Sequence, residues 1–246
     1  MTTEDGQSRP GLLVEQHGAC LRLRMNRPQE GNVLDAGMVR ALLAAYASLH
    51  ERPEVRVVML SGAGPDFCQG ADRGELAALG QDEARRVSEL GRRLCDAISG
   101  ADAVTVVRVQ GRVTGAGLGL MLACDLRLAG PDAVFRLPEL LLGVPPCWGG
   151  AGPRLLAEIG PARTRELILL GDRLDAAEAV RIGLVNRVGT DAELDAITAR
   201  WTGRLARNRA SATRIARAQL RAYGRRTALG DLAELESILL ATASNG

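Results

Sequence analysis

The chain reads as an α/β protein that ends in a helical region, and three features carry that expectation. Apolar and β-branched runs at Cys20–Met25, Val55–Leu60 and Val104–Val109 read as strands and alternate with helical patterns. A glycine-rich turn, Gly111 to Asp125, follows the third run and opens into an apolar stretch that reads as a buried helix. From about Pro161 onward the pattern is almost wholly helical, broken at Gly171, Gly183, Gly189 and Gly230. Strands mixed with helices in front and helices behind predict an α/β core with a C-terminal helical region.

Taken in order, residues 1–10 are polar and read as a loose, disordered tail. Cys20-Leu-Arg-Leu-Arg-Met25 alternates with period two, as a half-buried strand does, and Asn26-Arg-Pro28 ends it. Asp35 is a candidate N-cap for a helix over Met38–Glu51. Val55–Leu60 stops at Ser61-Gly-Ala-Gly-Pro65, and a loop, Asp66-Phe-Cys-Gln-Gly-Ala-Asp72, follows. Asp82–Ile98 is a long charged amphipathic helix. After the glycine turn, Leu126–Ala129 reads as short and extended, and Val134–Leu142 holds a loop with Pro138-Glu139. Pro145–Gly150 is a second glycine-rich turn with a helix after it.

Bulk properties narrow the function. A length of 246 residues is enough for a substantial core. A formal charge of +2 demands neither nucleic acid nor an anionic membrane, and aromatic residues are too few for base-stacking platforms. Every basic residue is arginine, so no Schiff base, lysine general base or Walker-type phosphate loop is available. His17 and His50 are the only histidines. Cys20, Cys68, Cys95, Cys124 and Cys147 are scattered, which predicts reduced thiols in a cytoplasmic protein and no disulfide framework or metal site. The polar, acidic N-terminus lacks the regions of a signal peptide, and the apolar stretch Leu118–Cys124 is too short to cross a bilayer.

A strand that turns through glycines into a helix presents unpaired N–H groups at the positive helix end. Such a turn holds negative charge: a phosphate, or the oxyanion that develops on a carbonyl during reaction. The spacing Gly115-x-Gly117-x-Gly119 is wrong for a dinucleotide fingerprint, and a turn serving helix–strand packing alone is the plain alternative. The loop Asp66–Asp72 also follows a strand and ends at a helix start. Two strand ends can each supply one N–H, and two convergent donors are what a thioester oxyanion needs.

On these residues the chain is identified as similar to the crotonase (enoyl-CoA hydratase/isomerase) superfamily. The stretches that carry the resemblance are Met25–Pro28 with Asn32–Leu34, Ser61–Gly64 with Phe67–Asp72, Gly111–Asp125, Phe135–Gly143 and Ala177–Asn186, in the family's order. The resemblance implies a spiral of ββα units over residues 11–190 and a helical trimerisation region over 191–246, in a homotrimer or hexamer. It implies an acyl-CoA or carrier-protein thioester as substrate, with no cofactor beyond the CoA or pantetheine moiety. It places the oxyanion hole on the N–H groups of Ala71 and Ala116, and substrate contacts on Cys68, Gly70, Asp72, Arg73, Gly115, Gly119, Leu142 and Trp148. Arg27 is the candidate contact for CoA itself.

Hydratases of this kind use two glutamates. Glu139 matches one; the other belongs at position 119, which is glycine. A lone carboxylate can still take a proton from one carbon of an enoyl chain and return it to another, so the resemblance points to double-bond isomerisation. Glu139, in an apolar run with Leu137 and Leu140–Leu142, is expected to have a raised pKa. Hydration with an unrecognised partner (Asp72 or Glu75), a decarboxylating branch and a thioester-binding protein without turnover are the alternatives. The resemblance also implies a Phe- and Lys-rich segment over the adenine end of CoA that this sequence does not show, so the expectation is that CoA is held differently or that the acyl group arrives on a carrier protein; the arginines of 200–226 are then a docking face for an acidic carrier or, alternatively, a solvated face of interface helices.

Overall fold

The computed structural model describes residues 10–72, 74, 81–146 and 148–227. Arg73, Glu75, Cys147, the rest of the N-terminal tail and residues 228–246 lie outside the described residues. The strands are β1 (Leu12–His17), β2 (Cys20–Met25), β3 (Val57–Gly62), β4 (Val104–Val109), β5 (Arg112–Thr114), β6 (Leu126–Ala129), β7 (Val134–Arg136), β8 (Leu174–Asp175) and β9 (Arg187–Val188). The helices are α1 (Ala36–Ala47), α2 (Gln81–Gly100), α3 (Ala116–Leu122), α4 (Ala151–Leu170), α5 (Ala176–Arg181), α6 (Asp191–Arg207) and α7 (Ala210–Thr227).

Six strands form one sheet in the order β1-β2-β3-β4-β6-β9. β1 and β2 are antiparallel and the other neighbours parallel. Alternation along each strand divides the sheet into two faces. Leu21, Leu23, Val58, Leu60, Val107 and Val109 join the main core with residues of α1, α2 and α3. Cys20, Val57, Met59, Val106 and Leu128 point the other way and meet Leu194, Ile197, Trp201 and Leu205. Those four residues make an apolar stripe on α6, so this helix covers the second face of its own sheet.

A smaller layer, β5-β7-β8, runs beside the large sheet. Two isolated parallel bridges, Leu34–Ala71 and Cys68–Val113, carry its pairing back toward the N-terminus. Each repeat therefore places one strand in the large sheet, a second extended segment in the small layer, and then a helix. The expected ββα spiral is the observed architecture. The small layer contains the loop Asp66–Asp72, the start of α3 and the segment leading to Glu139.

Cys20–Met25 and Val104–Val109 are strands with the expected bounds, and Asp35 caps α1 by accepting from Met38 N–H at 2.7 Å. Three expectations change. The second run forms β3 two residues later than expected, and the strand includes Gly62. A methyl built on Gly62 would stand 2.5 Å from the Phe67 carbonyl oxygen, so the chain folds back over a strand residue that has no side chain. β1 has no counterpart among the expected strands; four of its six residues are exposed, which blurs the alternation. The glycine turn does not pass straight from strand to helix, because β5 intervenes and pairs with β7.

Two features of the C-terminal half bear on the site. α4 bends at Gly160 (φ 74°, ψ 171°), just before Pro161. Arg217 is not part of a solvated face: it is buried, donates to the carbonyls of Ala101 and Ser99, and pairs with Asp125 at 2.8 Å. α7 is thus fastened near the C-terminal end of α2. No helix among the described residues is long and apolar enough to cross a membrane.

Candidate active site

The site grows from the crossing of the loop Asp66–Asp72 with β5 and the start of α3. Cys68 pairs with β5: its N–H donates to the Arg112 carbonyl (3.2 Å) and its carbonyl accepts from Thr114 N–H (3.0 Å). At Gly70 the backbone turns, with φ +106°, and the Gly70 carbonyl accepts from Leu34 N–H at 2.8 Å. A trans peptide carries its C=O and N–H on opposite sides. The Ala71 N–H therefore points away from Leu34, toward the β5–α3 junction. A methyl on Gly70 would lie 3.1 Å from the Thr114 carbonyl oxygen and 3.6 Å from the Ala116 nitrogen, which shows how closely the two segments approach.

Ala116 is the first residue of α3, whose opening N–H groups have no partner within the helix. Gly115 caps this end at φ 53°, ψ −119°, a conformation costly for any residue with a Cβ. Neither Ala71 N–H nor Ala116 N–H has a hydrogen-bond acceptor among the described residues. Two donors from neighbouring segments thus face one region, as an oxyanion site requires. Gly117 serves close packing: a methyl there would meet the Cys68 carbonyl oxygen at 2.6 Å and its sulfur at 3.0 Å.

Polar side chains hold the crossing in place. Asp66, 6% exposed, accepts from Arg112 N–H at 2.8 Å, from the Arg112 guanidinium at 2.8 and 3.1 Å, and from Gln69 at 3.0 Å. These bonds outweigh the cost of burial and hold the Asp66 carboxyl below the usual aspartate range. Asn32 is fully buried; its amide donates to the carbonyls of Ala63 and Asp66 at 2.8 Å each and accepts from Arg27 N–H at 2.9 Å. The sequence shows Asn32 and Asp66 only as parts of motifs. Their role as anchors depends on pairing across 34 and 46 positions of chain.

Glu139 opens a short 3-10 turn, Glu139–Leu142, directly after β7. The Arg136 carbonyl accepts from Gly115 N–H at 3.0 Å, which brings this turn against the start of α3. A methyl on Gly115 would stand 2.8 Å from Glu139 Oε1, so the carboxylate lies on that glycine. Oε2 is buried with no hydrogen-bond partner among the described residues. Burial pushes the Glu139 carboxyl up to about 6. The direction is the expected one; of the apolar residues named for it Leu137 is buried, whereas Leu140, Leu141 and Leu142 are 41%, 59% and 46% exposed, and the carboxylate is also covered by Gly115 at the start of α3. From behind, the turn meets the end of α4. Arg136 donates to the Gly171 carbonyl at 2.7 Å, and a methyl on Gly171 would reach Leu141 at 3.1 Å.

Gly119 lies one turn along α3 from Gly115, donating to its carbonyl at 3.1 Å. A methyl on Gly119 would meet the Trp148 carbonyl oxygen at 3.1 Å and ring atom Cε3 at 3.3 Å. Glu139 and Trp148 therefore lie on positions about one turn apart at the start of α3.

The remaining candidates fall elsewhere. The Cys68 thiol is fully buried, and burial pushes it up to about 12, so this residue contributes backbone and not a reactive wall. Leu142 points outward with its neighbours. Asp72 N–H donates to the Leu34 carbonyl at 3.1 Å, which fixes the exit of the loop. Arg27 lines a hollow of ≈ 560 Å³ with Gly11, Gln29 and Met38, yet its guanidinium is bound by both Asp35 and Glu30. Two carboxylates outnumber the one cation there, so Arg27 does not offer a free charge to a phosphate. A second hollow of ≈ 440 Å³ lies between the β1–β4 strands and α6. Neither hollow is lined by Glu139, Ala71 or Ala116. The convergence of donors and carboxylate marks the site better than cavity size does. Among the described residues no three His, Cys, Asp or Glu side chains cluster as metal ligands would.

The enoyl-CoA hydratase/isomerase family model matches residues 15–244. A crotonyl-CoA hydratase of Syntrophomonas wolfei is 31% identical over 208 residues, covering 84% of this chain and 80% of that one. A probable mitochondrial enoyl-CoA hydratase 2 of Arabidopsis thaliana is 35% identical over 167 residues, where the match spans 68% of this chain and only 55% of the plant protein. Among solved structures, an enoyl-CoA hydratase from Mycobacterium avium subsp. paratuberculosis superposes with a TM-score of 0.85 at 29% identity, covering 97% and 95% of the two chains. One from Bacillus halodurans reaches 0.88 at 22% identity over 96% of each chain, a likeness of fold. With the spiral of ββα units and the match along nearly its whole length, the chain belongs to the enoyl-CoA hydratase/isomerase family of the crotonase superfamily.

Proposed function

We propose that the protein isomerises the double bond of an enoyl thioester, carried on CoA or on a carrier-protein pantetheine, with Glu139 as its single acid/base. The thioester oxygen sits between the N–H groups of Ala71 and Ala116. Glu139 removes a proton from the carbon between carbonyl and double bond. The electron pair delocalises onto the thioester oxygen, where the two N–H groups and the positive end of α3 stabilise it. Glu139 then returns the proton to the far end of the dienolate, so no atom is gained or lost.

The observation that carries this reading is the Glu139 carboxylate itself: buried, unpartnered at Oε2 and pushed up to about 6, where one group can both take and give a proton near neutrality. Glycine at position 119 favours proton relocation over water addition. The test is Glu139→Gln with hex-3-enoyl-CoA as substrate. Loss of isomerisation, together with loss of deuterium uptake from heavy water, is the expected result. Full activity in that variant overturns the reading.

A second reading, hydration, is favoured by the relatives' names, which include a crotonyl-CoA hydratase and a short-chain-enoyl-CoA hydratase. Formation of a 3-hydroxyacyl product from hex-2-enoyl-CoA, at a rate above isomerisation, would decide for it. Of the arginines in 200–226, Arg217 and Arg221 are engaged by the Ser99 carbonyl at the end of α2 and are not offered to a carrier.

A further inference from the structure

We infer that Trp148 is a specificity-determining residue: its indole plugs the place beside Glu139 that a nucleophilic water or a second proton-carrying group would need. The inference rests on the reading of Glu139 as the acid/base and adds the reason why its proton returns to carbon.

Gly115, the cap of α3, and Gly119 within it lie about one helical turn apart, about 5 Å along the axis. The Glu139 carboxylate lies on Gly115 and Trp148 lies on Gly119. The indole is held from its other side by Gly91 of α2, where a methyl would stand 2.6 Å from Nε1 and 2.8 Å from Cζ2. Gly91 and Gly119 are thus the two walls of one socket, and a side chain at either position meets the ring or backbone of Trp148. The socket also has a floor: a methyl on Gly149 would reach the Cys95 sulfur at 2.5 Å, and the Cys95 thiol donates to the Gly119 carbonyl at 3.7 Å. The turn that carries Trp148 is therefore seated against α2, and the depth of the indole is set by backbone.

A water held at a reaction centre needs two to four polar partners. Over Gly119 it would find little room, because the Trp148 carbonyl oxygen and ring atom Cε3 stand 3.1 and 3.3 Å from a methyl built there. Position 119 is tight for the same reason: a side chain there requires Trp148 to give by a few tenths of an ångström, so the two positions are coupled.

The test is a mutant cycle over both positions: Trp148→Ala, Gly119→Glu and the double variant, with Trp148→Leu in place of Trp148→Ala if that protein does not fold. Isomerisation is read with hex-3-enoyl-CoA, hydration with hex-2-enoyl-CoA, and melting temperature without ligand. Trp148→Ala is expected to raise the ratio of hydration to isomerisation by about ten-fold or more. Gly119→Glu is expected to lower the melting temperature when Trp148 is present and far less when it is combined with Trp148→Ala, a coupling that distant sites do not show. A ratio within about two-fold of wild type in both Trp148→Ala and the double variant overturns the inference. So does an equal thermal cost of Gly119→Glu in both backgrounds. Failure of the isomerase reading is separable: wild type and Glu139→Gln would then act alike on hex-3-enoyl-CoA, while the thermal cycle still reports on the plug.

Discussion

The large sheet and the small layer are built by the same repeating units, yet they use their backbone polar groups differently. In the large sheet each interior strand is paired on both sides, with continuous registers from β1 to β6. In the small layer the pairing is reduced to single bridges and strands of two or three residues. The ladder breaks where Gly70 turns and where Gly115 starts a helix, and there two N–H groups are left without acceptors among the described residues. A finished ladder supplies stability; an interrupted one supplies donors to a substrate. The interruption is held open by Asp66 and Asn32, which replace missing ladder bonds with side-chain ones.

If this division is right, substitutions in the two layers should separate rate from stability. The largest effect belongs to Glu139→Gln, expected to cut turnover by about 10²- to 10⁴-fold while the melting temperature near neutral pH rises, read by steady-state kinetics and thermal denaturation. Leu60→Ala, in a fully buried position of β3, should cost about 2–5 kcal/mol of stability and leave kcat per folded molecule unchanged. A matching loss of kcat would show that the two layers are not separable. Asp66→Ala lies on the seam. It removes the acceptor for Arg112 and Gln69 and should lower both stability, by about 2 kcal/mol, and kcat.

Titration of Glu139 comes next. Its folded pKa, about 6, lies above the unfolded value near 4.5, so the folded state holds its proton longer. Stability should therefore fall as pH rises from about 4.5 through 6, by on the order of 2 kcal/mol, and Glu139→Gln should abolish that slope in denaturation curves. Over the same window kcat/KM should rise, because the ionised form is the base. The smallest effect is expected at the outer face: Asp195→Ala breaks an exposed pair with Arg108 and should cost under about 1 kcal/mol.

The same contrast explains what the sequence makes legible. Strands such as Val104–Val109 and the seven buried residues of α3 follow from local pattern, because period and composition report burial on one or both faces. β5 and β7 do not, since three residues are too few to show a period and their pairing is decided by segments elsewhere in the chain. Glu139, Ala71 and Ala116 emerge through resemblance to a family, and the bare sequence shows only that glycines precede a helix. Trp148 and Gly91, separated by 57 positions, share no local signal at all; only the fold brings the indole into its socket.

The bend in α4 at Gly160 gives the site a remote support. Because the helix changes direction there, its far end returns to the Glu139 turn, where the Gly171 carbonyl receives Arg136 and Leu141 rests on Gly171. The proposed base is thus propped by a strut whose angle is set twenty-one residues downstream of Glu139 itself. Natural or engineered variation at Gly160–Pro161 would retune the aim of Glu139 while leaving every substrate-facing side chain intact, so a survey restricted to pocket residues would overlook one of the positions that govern the reaction.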